Sequence, residues 1–168
     1  MKRLLTLFFV FALPAMADSE WDSATLNLEQ ETEITVYRSP DCQCCHKWIQ
    51  HLEKHDFNVL DEVTHNLAEI KDKAGIPTVM GSCHTALVDG YLIEGHVPAD
   101  DIKRLLLNKP DIKGLSVPQM PVGTPGMEMG EKKDMFTVIS FDEMGNYRIF
   151  NRYNVDSENL YYRVPPQE

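Results

Sequence analysis

The sequence predicts one α/β domain, a mixed sheet flanked by helices, carrying a Pro/Gly/Met-rich loop and an extra C-terminal β-hairpin. Three observations predict it. Between residues 33 and 107, short β-branched runs alternate with helical stripes, the pattern of strands joined by crossover helices. Residues 111–130 then lose all periodicity and fill with Pro, Gly and Met, the composition of an irregular loop with defined turns. Beyond them, two further β-rich runs flank the turn signal Glu143-Met144-Gly145-Asn146.

The chain opens on Met1-Lys2-Arg3, an uncharged run from Leu4 to Leu13, and the small-residue exit Pro14-Ala15-Met16-Ala17. Basic n-region, short apolar h-region and Ala-x-Ala ending define residues 1–17 as a signal peptide cleaved near Ala17. The apolar run is half the ~20 residues a bilayer core requires. Cleavage removes Lys2 and Arg3 and no acid, taking net charge from −10 to −12 and leaving 151 of the 168 residues, enough for one real core. A chain this acidic offers no basic patch to displace phosphate counterions, so nucleic acid is excluded as a partner. No later segment is apolar enough for stable membrane insertion, and the expected address is the periplasm.

Residues 18–32 are acidic and polar, a flexible leading segment with Trp21 and Leu26 as isolated apolar points. The main domain runs from 33 to 130. Ile34-Thr35-Val36-Tyr37 is a strand closed by Ser39-Pro40. A helix follows from Cys45 to Lys54, with Asp41 as the expected N-cap and Trp48, Ile49 and Leu52 as its inward stripe. Phe57 to Val63 is a second strand. Residues 66–74 form a second helix, capped by Asn66 and stopped at Gly75. Ile76-Pro77-Thr78-Val79 opens a third strand, and Ala86 to Gly95 is a hairpin around Asp89-Gly90. Pro98 to Leu107 is the last helix, with Ile102, Leu105 and Leu106 facing inward. This order is thioredoxin-like, and it leads us to expect a cis peptide bond before Pro77, opposite the cysteines. Residues 131–168 supply the C-terminal hairpin, Met135 to Ser140 with Tyr147 to Tyr153, and a tail without periodicity, packed on the domain.

The chemistry concentrates in Ser39-Pro40-Asp41-Cys42-Gln43-Cys44-Cys45-His46. Three of the four cysteines fall within four positions, and the fourth, Cys83, stands beside His84. On the first turn of a helix, unpaired amides and the helix dipole favour thiolate over thiol. Cys42 and Cys45 make a CxxC pair suited to disulfide exchange. Exchange leaves Cys44 and Cys83 without a role, whereas a soft-metal site uses all four sulfurs. Thiolates select Cu(I) and Zn(II). Zinc is the less favoured ion, because structural zinc sites use two separated two-residue knuckles. Four thiolates with four Cu(I) ions sum to zero charge. His46 and His84 flank cysteines and are candidate ligands or donors to ligands. Met120, Met127 and Met129 offer thioethers in the Pro/Gly loop, against the plainer role of methionine as a gap-filler. His51 and His55 have i, i+4 spacing without a third ligand and read as solvated helix histidines. His65 and His96 read as loop or capping residues.

These residues carry a resemblance. Cys42-Gln43-Cys44-Cys45 with Trp48, Gly75-Ile76-Pro77-Thr78, Cys83-His84-Thr85, Gly95-His96-Val97-Pro98-Ala99, and the loop from Gly114-Leu115 through Pro118, Met120-Pro121 and Gly123 to Pro125-Gly126-Met127-Glu128 resemble the CopG-type periplasmic copper-resistance family, long catalogued as a domain of unknown function. The likeness runs from about residue 33 to 130. It implies a thioredoxin-like fold whose cysteines hold a thiolate-bridged, multinuclear copper cluster. By position its ligands are Cys42, Cys44, Cys45 and Cys83. It further implies a role in copper resistance, proposed to be redox handling of Cu(I)/Cu(II), and leaves open whether the chain is a copper oxidoreductase. The expectation is an exported copper-binding protein with a metal site drawn from Cys42, Cys44, Cys45, Cys83, His46, His84, Met120 and Met127, and with copper ions and other periplasmic copper-handling proteins as partners. The competing expectation is a periplasmic thiol-disulfide oxidoreductase using Cys42 and Cys45.

Overall fold

The computed structural model describes residues 19–23 and 25–166. The signal peptide expected over residues 1–17 lies outside the described residues. Among the described residues, eight strands and three helices form a mixed α/β fold. In chain order these are β1 (Thr32–Arg38), α1 (Gln43–Glu53), β2 (Phe57–Val63), α2 (Leu67–Ala74), β3 (His84–Val88), β4 (Tyr91–Glu94), α3 (Ala99–Asn108), β5 (Gly114–Ser116), β6 (Phe136–Phe141), β7 (Tyr147–Val155) and β8 (Tyr161–Val164). They build one sheet in the order β2-β1-β3-β4-β5-β6-β7-β8.

The connections explain the pairing. β1 and β2 are parallel, because α1 carries the chain back between them. β3 and β4 are antiparallel across the Asp89-Gly90 turn, and β3 lies antiparallel to β1 on its other side. β1 buries alternate residues, Ile34 and Val36, under α1 and α3. Those helices contribute Trp48, Ile49 and Leu52, and Ile102, Leu105 and Leu106, to a core shared with Ile93, Leu115, Val117 and Val138. Trp48 is anchored at both ends of its chemistry: the ring is fully buried, and its Nε1–H donates to the Val97 carbonyl at 2.9 Å.

Several expectations are corrected. There is no cis peptide bond among the described residues, so the bond before Pro77 is trans. Residues 76–79 form no strand; Thr78–Met80 is a short 3-10 turn headed by Pro77. A proline at the first position suits a tight turn as well as a strand start, and the flanking sequence does not separate the two. The 111–130 stretch contains a strand, β5, whose three residues are all buried. It pairs parallel with β4 and antiparallel with β6, and so carries the C-terminal strands into the main sheet. The tail contributes β8, paired with β7. The segment before β1 is tied down in part. Ser19 caps a turn at Glu20–Asp22, and Trp21 sits in an aromatic cluster with Phe136, Tyr153 and Tyr161 at centroid distances of 5.1–6.0 Å. The N-cap of α1 is Cys42 rather than Asp41, with no side-chain capping bond. Asn66 stands at the N-cap of α2 and makes none either.

Candidate metal centre

Two strand registers assemble the site. β1 ends at Arg38, and the next residues form the loop that carries Cys42 onto α1. In the β1/β3 pairing, Arg38 lies opposite His84, so Cys83 and His84 arrive beside that loop. In the β3/β4 pairing, Thr85 lies opposite Glu94, so His96, two residues further on, reaches the same end of the sheet. Residues 38 positions apart or more in sequence thus meet.

The ligand atoms of Cys42, Cys44, Cys45 and Cys83 all lie within 4.8 Å of one another. Cys42 and Cys45 are joined by a disulfide, while Cys44 and Cys83 are free. Cys44 Sγ is 3.6 Å from Cys42 Sγ, and Cys45 Sγ is 3.7 Å from the Cys83 carbonyl oxygen. Cys45 is fully buried, and the other three are half-buried, so the group opens to solvent on one side.

Cys83 has two imidazole neighbours, His96 Nε2 at 3.1 Å and His84 Nδ1 at 3.3 Å. His96 is oriented by its other nitrogen, which lies 2.7 Å from the Pro125 carbonyl. A carbonyl only accepts, so Nδ1 carries the proton and Nε2 presents a lone pair to the Cys83 sulfur. His84 is fully buried beneath Trp48, with ring centroids 4.2 Å apart, and its Nε2 has no hydrogen-bond partner. Burial pushes the Cys83 thiol up to about 12, with the neighbouring Cys44 adding to the shift. It lowers His96 to about 4 and His84 well below its ordinary value, so both rings are neutral at neutral pH. A high-pKa thiol beside two neutral imidazoles gives up its proton when a cation replaces it.

The Cys83 segment is held by Glu94, which is completely buried. Its carboxylate accepts from Ser82 N–H at 2.6 Å and Thr85 Oγ1–H at 2.7 Å, one on each side of the Cys83-His84 pair, and forms an ion pair with Lys71. Across the site, the Pro/Gly loop lies on the first turn of α1. Gly126 has φ +83°, and a Cβ there would meet Trp48 N at 2.7 Å and the Cys44 carbonyl at 2.8 Å. Only glycine permits that approach.

Of the other expected site residues, His46 is exposed and faces Gln50 Nε2 at 3.4 Å. Met127 is buried in the loop beside Gly126, whereas Met120 and Met129 are largely exposed. His65 is exposed. His51 and His55 are not solvated: both are buried, with His51 Nε2 accepting from Ala99 N–H at 3.0 Å and His55 Nδ1 at 2.8 Å from the His51 carbonyl. Their i, i+4 face turns toward α3, which the apolar stripe alone does not reveal. His96 is the residue that sequence reasoning missed, for it is a neighbour of Cys83 rather than a loop or capping residue. The available signal was its position two residues past the strand that pairs with the Cys83-His84 strand.

The fold and these side chains define the class: a mixed α/β protein with a four-cysteine group able to hold a soft metal. Comparison with known proteins agrees. A family described as a protein of unknown function, DUF411, matches residues 80–127. Two solved structures called copper resistance protein CopG, forms 2 and 1, match at 42% and 43% identity. They cover 74% of this chain and 100% and 98% of their own, with TM-scores of 0.71 and 0.70. Comparison with curated proteins gives no match. The chain belongs to the CopG family of copper-resistance proteins.

Proposed function

We propose that this is an exported, periplasmic copper-binding protein of copper resistance that holds Cu(I), as cargo, in the thiolates of Cys42, Cys44, Cys45 and Cys83. The observation that carries this reading is the convergence of four sulfurs within 4.8 Å. Sulfur-only sites select soft ions, which favours Cu(I) over harder cations. Holding metal on all four requires the Cys42–Cys45 disulfide to be reduced, with an external dithiol supplying the two electrons and two protons and leaving as its own disulfide. Loss of the thiol protons of all four cysteines to incoming metal then makes loading pH-dependent. The open side of the group gives the ion its way in. Met127, in the loop seated on α1, is the better placed of the thioethers to approach the cluster.

The test is anaerobic Cu(I) titration of the reduced protein with metal analysis. We expect at least one tightly held Cu(I) per chain, lost in Cys42→Ser/Cys45→Ser. Stoichiometry near zero, or binding unchanged in the double variant, overturns the reading.

A second reading, a thiol-disulfide oxidoreductase, is favoured by one observation, the Cys42–Cys45 disulfide at the head of a helix. It predicts that Cys45→Ser traps a mixed disulfide through Cys42. No exchange with a disulfide substrate excludes it.

A further inference from the structure

We propose that the turn at Glu20–Asp22 is a clamp on the metal centre, in which Trp21 and Ser19 are positioning residues that pin the Pro/Gly loop against the cysteine group and set how fast its cargo leaves. The rate rests on the reading that the four cysteines hold Cu(I), whereas the pinning does not.

Trp21 stands alone in an acidic stretch, with no apolar stripe of its own to join. The turn that carries it is three residues of 3-10 helix with no buried residue, too short to persist unaided. What holds it is contact with the rest of the chain, and two of those contacts go to one loop. Trp21 Nε1–H donates to the Gly123 carbonyl at 2.8 Å, and Ser19 Oγ–H donates to Glu128 Oε1 at 2.9 Å. The indole lies against Phe136, Tyr153 and Tyr161, and the Tyr161 hydroxyl donates in turn to the Val122 carbonyl at 3.1 Å. Asp22 pairs with Lys54 at the end of α1 at 2.7 Å, so the turn bridges the helix and the loop.

Between the two pins the loop is one unit. Gly123 N–H donates to the Met127 carbonyl at 2.8 Å, and Met127 N–H to the Thr124 carbonyl at 2.7 Å. Residues inside that unit touch both halves of the cysteine group. Gly126 is packed on the Cys44 carbonyl, and the Pro125 carbonyl accepts from His96 Nδ1–H, whose ring faces the Cys83 sulfur at 3.1 Å. Lifting the loop therefore loosens the surroundings of Cys44 and Cys83 together. A half-buried turn held by a few hydrogen bonds opens far more readily than the core. An ion held behind the closed loop leaves when the loop opens, so the clamp acts chiefly on the dissociation rate. Linkage makes the effect mutual: if pinning tightens retention of the ion by some factor, loading the ion tightens the pinning by that factor.

The test uses the full mature chain. Trp21→Phe keeps a ring in the aromatic cluster and removes the N–H that reaches Gly123, and Ser19→Ala removes the bond to Glu128. In the metal-free protein with its Cys42–Cys45 disulfide intact, iodoacetamide should alkylate Cys44 and Cys83 about two- to tenfold faster in either variant, the range that one net hydrogen bond is worth. In the reduced, anaerobic protein loaded with Cu(I), transfer to excess bathocuproine disulfonate should quicken by the same factor, with stoichiometry and capture rate unchanged. Amide hydrogen exchange over residues 19–23 and 121–128 of the wild type should slow on Cu(I) loading, and Trp21→Phe should diminish that slowing. A merely structural role for Trp21 produces no such coupling.

Alkylation and release at the wild-type rates in both variants overturn the clamp, and so does exchange over 19–23 that a bound ion leaves unchanged. Cu(I) bound by all three proteins and released at one rate defeats the clamp alone. Faster alkylation in the variants of a chain that binds no Cu(I) upholds the pinning and defeats the four-cysteine reading.

Discussion

Gly126→Ala tests whether the Pro/Gly loop is part of the metal centre. Gly126 occupies φ +83°, where an L side chain costs about 1–2 kcal/mol. Its new Cβ would also stand 2.7 Å from Trp48 N and 2.8 Å from the Cys44 carbonyl, both backbone atoms of a helix that cannot move aside locally. Overpacking of this kind costs about 1–3 kcal/mol, so the total is about 2–5 kcal/mol. In a chain of this size that lowers Tm by about 4–20 °C. Gly130→Ala is the control, because Gly130 has φ +78° but nothing within 4 Å of its added Cβ. It should lose only the conformational part, about 1–2 kcal/mol. Urea unfolding of both reduced variants reads the difference, and a competition titration reads Cu(I) affinity. We expect Gly126→Ala to be less stable than Gly130→Ala by about 1–3 kcal/mol and to bind Cu(I) more weakly, as the loop lifts off the turn bearing Cys44. Equal stabilities and equal affinities would refute the seating of the loop on α1.

Further predictions concern the supports of the site. Glu94→Ala removes the carboxylate partner of Lys71, leaving it Thr85 Oγ1 and the His84 carbonyl, and frees both flanks of Cys83 and His84; urea unfolding should show a loss of about 3–5 kcal/mol, and a loss below about 1 kcal/mol would show the buried pair contributes little. Trp48→Phe removes the indole N–H, leaving the Val97 carbonyl unpaired, and opens a cavity where the second ring stood; it should cost at least about 1–3 kcal/mol by the same measurement. Acid should destabilise the metal-free protein through its buried histidines. His96 has a folded pKa of about 4 against an ordinary 6.5, so its contribution is complete above 6.5 and is lost as pH falls toward 4. Between about pH 7.5 and 4.5 this amounts to about 2–3 kcal/mol, read as the difference between wild type and His96→Gln. Asp101, raised by burial, acts with opposite sign but is common to both proteins and cancels; His51 and His84 are lowered mainly by their own burial, which is also common to both, with His96 a smaller cause. Parallel pH profiles would refute the assignment.

What the sequence determined by itself is the local chemistry and the elements that carry it. Cys42, Cys44 and Cys45 are close because they are near in the chain and share one helix start, and no folding is needed to see it. The stripes Trp48/Ile49/Leu52 and Ile102/Leu105/Leu106, and the Asp89-Gly90 turn, are likewise local patterns with one physical solution. Tertiary structure decided whatever depends on register. Arg38 opposite His84 brings Cys83 to the cluster, and Thr85 opposite Glu94 brings His96 to Cys83. A register is set by packing across strands far apart in sequence, so His96 looked like a loop residue until its neighbours were known. β5 and β8 escaped for a related reason: three- and four-residue strands carry too little periodicity to be seen, and exist because a neighbouring edge offers them hydrogen bonds. The histidines at 51 and 55 seemed solvated because a polar side chain is ordinarily placed in water. Here both are buried: the Ala99 amide at the start of α3 donates to His51 Nε2, and His55 Nδ1 lies against the His51 carbonyl.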